Sequence, residues 1–177
     1  MTTITAPHQS SIRDEFIDAF RTHAAGVAVV TADAGDGPVG LTATSVSSVS
    51  ADPPLLVFSL SGRSSSAPAI RRASTLVVHL LGADQLQLAQ LFATSGVDRF
   101  ADRSRWSRLS SGEPYLPAAR TWLRGHVLER IPAGDATVVL VQALEFGGAG
   151  GEASGALVYH DRTWHRLDDR STVETRS

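Results

Sequence analysis

The chain has 177 residues, 42% of them hydrophobic, and a formal net charge of −2. That is enough apolar material for one buried core and none of the basic excess that binding a phosphate backbone requires, so nucleic acid is set aside as a partner. Cysteine is absent and all 16 basic residues are arginine, which removes thiol nucleophiles, disulfides, cysteine metal sites, lysine Schiff bases and a P-loop lysine together.

The opening stretch "MTTITAPHQSS" lacks the basic start and apolar run of a signal peptide, and no apolar run reaches membrane-spanning length. A cytoplasmic location without a membrane contact is the expectation. Residues 1–10 read as a disordered leader, 11–168 as one domain and 169–177 as a flexible tail. From Ser11, the positions Ile12, Phe16 and Phe20 recur every four residues with Ile17 beside them, and Ser11 with Asp14 makes a capping box; this predicts an amphipathic helix ending near His23. "GVAVVTAD" is a strand, "AGDGPVG" a hairpin turn and "PLLVFSL" a further strand. In "SSSAPAIRRAS", Ser65 or Ser66 can cap a short helix with Pro68 in its first turn. "TLVVHLL" is a strand, and "ADQLQLAQLFATSG" a helix with Leu88, Leu91 and Phe92 inward and Gly96 past its end. An Arg-rich irregular stretch follows, then long β-rich segments over 119–131 and 135–146, a glycine-rich loop over 147–155, and short strands around Val158 and Trp164.

Strands at short spacing with few helices predict a mainly β fold, a closed or half-closed antiparallel barrel with peripheral α-helices. Within it, six of the nine residues from Thr42 to Ser50 carry hydroxyls and none is charged. Such a run exposes backbone N–H groups at low steric cost and adds neutral donors, which suits a flat polar heterocycle or a phosphate. An edge strand of a barrel would account for the same residues.

The ordered series "GVAVVT", "GLTATSVSSVSADPPLLVFSL", "RSSSAPAI", "LAQLFA" followed by "DRF", "GEPYL", "GDA" and "LVYH" resembles the flavin reductase-like family, the reductase components of two-component flavin monooxygenases. The likeness spans residues 16–167. It implies a six-stranded antiparallel split barrel that binds FMN or FAD, pairs as a homodimer, takes hydride from NADH or NADPH and releases reduced flavin to a partner monooxygenase. It also places Thr42, Ala43, Thr44 and Ser45 along the flavin ring, Ser48 and Val49 along the ribityl chain, and Ser61, Ser64 and Ser66 near the phosphate. Arg99 and Phe100 match the family's basic-plus-aromatic position beside the cofactor, and Tyr159 and His160 its late aromatic strand. Arg63 either adds charge or is an exposed turn residue, and Phe100 is equally readable as core.

Hydride transfer asks positioning of the protein rather than acid–base work. This agrees with a chain offering no evident triad, carboxylate pair or metal set. One departure stands out: Gly134–Asp135–Ala136 occupies the turn where the family usually has Gly-Asp-His, so a nicotinamide contact is lost or passes to His126, Tyr159 or His160. His160 and His165, an odd number apart, are expected on opposite faces of a strand. Two other readings stay open: a flavin carrier with little turnover, and a relative binding a different cofactor such as haem or a pyridoxal-type phosphate.

Overall fold

The computed structural model describes residues 11–148 and 154–173. The leader 1–10, most of the glycine-rich loop (149–153) and residues 174–177 lie outside the described residues. Helix α1 (Ile12–Arg21) begins where the capping pattern puts it. Ser11 Oγ accepts the Asp14 N–H at 3.3 Å, and the hydroxyl donates to the Asp14 carboxylate at 2.8 Å. Its apolar stripe is uncovered: Ile12 is 84% exposed, Phe16 62% and Phe20 60%.

The strands run β1 (Ala25–Gly26), β2 (Ala28–Asp33), β3 (Pro38–Ala43), β4 (Ser47–Ala51), β5 (Pro54–Ser61), β6 (Thr75–Leu80), β7 (Ser107–Arg108), β8 (Pro114–Tyr115), β9 (Thr121–Ala133), β10 (Ala136–Gly147), β11 (Leu157–His160) and β12 (Thr163–Arg166). Seven of them form one antiparallel sheet in the order β3–β2–β6–β9–β10–β5–β4. The mainly β expectation holds, but the strand count and closure differ from the six-stranded barrel. The extra strand, β4, comes from the second half of the hydroxyl run, where no apolar alternation announces a strand. The sheet is not closed: β3 and β4 are its two edges, yet they are consecutive in the chain. Thr44, Ser45 and Val46 alone join them, a span of at most about 14 Å. The sheet therefore curls until its edges approach without a ladder between them.

Inside the curl lie Val30, Leu41, Leu56, Phe58, Leu60, Leu76, Val78, Val139 and Val141, with Ile70 of helix α2 (Ala67–Arg72) plugging one end. Ser66 precedes α2 but makes no capping bond. Its hydroxyl donates instead to the Gly40 carbonyl at 2.7 Å, because the residue is buried against β3. Strand β2 is buried on both faces: its Val29, with Val27 just before the strand, joins a second core with Ala89 and Phe92 of helix α3 (Leu86–Ala93), Phe100, Trp106 and Leu116. Phe100 is 7% exposed and packs edge-on between Phe92 and Trp106, the core role that its sequence also allowed.

A separate small sheet, β1–β11–β12, leans on this second core. Its hairpin turn, Asp161–Arg162, has φ of 44° and 60°, the conformation usually given to Asn-Gly. Asp169–Ser171, read as part of the tail, form a 3₁₀ turn whose first N–H groups are capped by Asp168. Among the described residues, no helix is long and apolar enough to cross a membrane.

Candidate functional site

The hydroxyl run crosses the seam between the two sheet edges, and neighbouring elements hold it there. Thr42 Oγ1 donates to the Ala89 carbonyl at 2.6 Å, tying β3 to α3. Ser45 Oγ accepts the Ser59 N–H at 2.9 Å, tying the connection to β5. Gly40 permits the approach of α3: a Cβ there would sit 2.5 Å from the Phe92 ring. Two cavities flank the seam and share Thr44 and Tyr159 as their common wall.

The first cavity, about 430 Å³, is lined by seven hydroxyl residues, Thr42, Thr44, Ser59, Ser61, Ser64, Ser65 and Ser95, with Arg63 and Arg99 and an aromatic border of Phe92, Tyr159 and Trp164. Among the described residues no carboxylate lines it. Arg99 is held entirely by neutral oxygens: its guanidinium donates to the carbonyls of Gly40 (3.1 Å) and Thr94 (2.7 Å) and to Ser66 Oγ (3.1 Å), while Nε is buried without a partner. Burial lowers its pKa, yet a guanidinium keeps its proton in proteins. An unneutralised positive charge at the wall of a hydroxyl-lined cavity favours an anion, and the aromatic border favours a flat ring. The donor set thus fits a flavin phosphate and ring.

The second cavity, about 700 Å³, lies between the end of α1 and the seam, with Phe20, Arg21, His23, Thr44 to Ser47, Tyr159 and Arg162 in its walls.

Of the residues singled out by sequence, Thr42, Thr44, Ser61, Ser64, Arg99 and Tyr159 meet at the first cavity, and Thr44, Ser45 and Tyr159 at the second. The others are set apart. Ala43 points into the core at 5% exposure. Ser48 and Val49 are exposed on β4 and line neither cavity. Ser66 and Phe100 border a small cleft of about 180 Å³ behind Arg99. His160 lies on the other face of β11 from Tyr159, because Tyr159 pairs with Trp164 and both face the first cavity.

His160 and His165 are brought together, ring centroids 5.6 Å apart, contrary to the opposite-face expectation. A turn lies between them, and pairing across the hairpin replaces parity along one strand. Among the described residues no group of three or more metal-ligating side chains forms.

Residues that sequence reading missed include Ser59, Ser95, Phe92, Trp164 and Arg162. Ser59 was readable: Leu56, Phe58 and Leu60 alternate inward, so Ser59 and Ser61 share the outward face. Nothing local marked the others.

A cavity that pairs an anion-seeking arginine and neutral hydroxyls with an aromatic wall defines a binding fold for a phosphorylated planar cofactor. The chain belongs to the flavin reductase-like family: the profile of the Flavin reductase like domain matches residues 20–168. It is similar to an NADH:FMN oxidoreductase of Rhodococcus qingshengii, 48% identical over 150 residues, covering 84% of this chain and 78% of that one. The reductase component of a flavin-dependent trigonelline monooxygenase from Acinetobacter baylyi is 33% identical over 137 residues, 77% of this chain and 44% of that one. Among solved structures, a flavin reductase domain protein from Arthrobacter sp. FB24 superposes with a TM-score of 0.85 at 34% identity, covering 94% of this chain and 100% of that one.

Proposed function

We propose that this chain is an NADH-dependent flavin reductase that uses FMN, passes the reduced flavin to a separate monooxygenase component, and works as a homodimer in the cytoplasm. The observation that carries the reading is the first cavity, with its hydroxyl walls and, among the described residues, an unneutralised Arg99 and no carboxylate. Thr42, Thr44 and Tyr159 would border the flavin ring, and Ser61, Ser64, Arg63 and Arg99 the phosphate. Held by these residues, the flavin would supply the acceptor for the hydride of NADH, with the balancing proton drawn from solvent. The residues present bind and align; none is needed to move a proton at the site. Along the ring, neutral hydroxyl contacts suit a flavin that must leave, since each is worth less than a charge-assisted bond of the kind Arg99 offers the phosphate.

The FMN and NADH named for the Rhodococcus relative and the monooxygenase partner named for the Acinetobacter relative support the finer parts of the reading. Two uncovered apolar surfaces support the dimer: the α1 stripe, and the outer sheet face with Ile131 and Leu144 at 49% and 52% exposure.

The test is loss of reduced-nicotinamide absorbance on mixing the protein with NADH and either FMN or FAD. Turnover well above the protein-free rate with FMN is expected. A rate at that background with both flavins refutes the reading and leaves the flavin-carrier alternative.

A further inference from the structure

Among the described residues, the wall of the second cavity carries two guanidiniums and no Asp or Glu. Arg21 is already engaged: its Nε stands 3.1 Å from an Asp161 carboxylate oxygen and its Nη1 3.6 Å from Asp18. Arg162 makes no ion pair, hydrogen bond or ring contact among the described residues, and it is exposed at the cavity rim.

Arg162 sits at φ 60°, second in a two-residue hairpin turn whose first residue is at 44°. Glycine adopts that conformation freely, whereas an L side chain there is strained. A strained, unpartnered cation at a cavity mouth is the pattern expected when the turn is kept for what the side chain reaches. The cavity it faces adjoins the first across Thr44 and Tyr159. Ligands held in the two are therefore neighbours across that wall.

We propose that Arg162 binds the pyrophosphate of NADH in the second cavity, which places the nicotinamide at the Thr44–Tyr159 wall beside the flavin. This rests on the flavin occupying the first cavity. Arg162 is a binding residue for the hydride donor, and Arg21, neutralised by Asp161, shapes the wall without competing for the anion.

Steady-state kinetics of Arg162→Gly, Arg162→Asn and Arg162→Lys test it, since Gly and Asn both accept positive φ without the charge. NADH is compared with N-benzyl-1,4-dihydronicotinamide, which carries the same hydride-donating ring and no phosphate. In the Gly and Asn variants KM for NADH should rise about tenfold, as for loss of one charge-assisted contact. Their kcat should stay within about twofold, and the FMN Kd should not move. Arg162→Lys should recover most of the loss, and rates with the benzyl donor should match wild type throughout. A KM for NADH within about threefold of wild type in either uncharged variant overturns the proposal. So does a loss shared by the benzyl donor, which would mean that Arg162 acts only through the fold. Failure of the wild type to oxidise NADH with FMN is a separate result and removes the functional reading itself.

Discussion

Lowering the pH from about 7 to about 4.5 should destabilise this protein chiefly through His79. The side chain is fully buried on β6 and both ring nitrogens are engaged: Nδ1 lies 3.0 Å from the Val29 carbonyl and Nε2 3.0 Å from the Leu116 N–H. A carbonyl only accepts and an amide N–H only donates. Nδ1 therefore carries the hydrogen and Nε2 must stay bare. A second proton would set N–H against N–H in a dry site. Burial accordingly pushes the pKa down from 6.5 to about 4, with the Val29 carbonyl pulling slightly the other way. The unfolded chain binds this proton below pH 6.5 and the native chain does not. The contribution is thus complete above 6.5 and is lost as pH falls toward 4. At about 1.4 kcal/mol per unit, the loss by pH 4.5 comes to about 2.5 kcal/mol. Urea unfolding of wild type and His79→Gln at about pH 7 and about pH 4.5 measures it. The variant is expected to start less stable, having lost matched buried bonds, but to lack most of the acid slope. Equal losses in the two proteins would refute the reasoning. Glu113 does not blur this window. Burial raises its pKa, but bonds from Ser111 and Thr75 and then Arg124 outweigh that and lower it from 4.5 to about 2. Its contribution is present above 4.5 and fades only below.

Arg99→Met should weaken FMN binding by tenfold or more, read by flavin fluorescence, and flatten the salt dependence of that affinity, because the charge beside the phosphate is gone. Gly40→Ala should cost roughly 1–3 kcal/mol by denaturant titration, since its Cβ would drive the Phe92 ring out of the second core. Phe16→Glu, placed on the uncovered α1 stripe, should shift the protein from dimer to monomer by light scattering, with little change in the monomer's unfolding midpoint.

Much of the architecture was legible because local chemistry agreed with it. Ser11 and Asp14 set the start of α1, and the length of the β9–β10 hairpin follows from two long apolar-rich runs around Gly134, whose φ of 62° fits the first corner of a tight turn. The first cavity was legible in part. Thr42, Thr44, Ser61, Ser64 and Arg99 do converge, while Ser48 and Val49 do not, because β4 turns them outward on an exposed edge. The second cavity was not legible at all. It exists because β1 pairs with β11 across more than half the chain and carries the end of α1 to Tyr159, a long-range juxtaposition without local periodicity. His160 and His165 failed for a simpler reason: the turn between them changes the parity rule.

The open seam has a consequence for how such a protein can drift. An edge strand leaves half of its peptide groups without a neighbouring strand, so what β3 and β4 offer across the gap is main-chain polarity common to every residue type. Recognition built on it would tolerate replacement of the side chains that reach neither cavity nor neighbour, and would fail on insertion, deletion or a proline. A scan of alanines would then register at Thr42 and Ser45, which tie the stretch to α3 and β5, and at Thr44 in the shared wall, and pass quietly over Ser48 and Ser50.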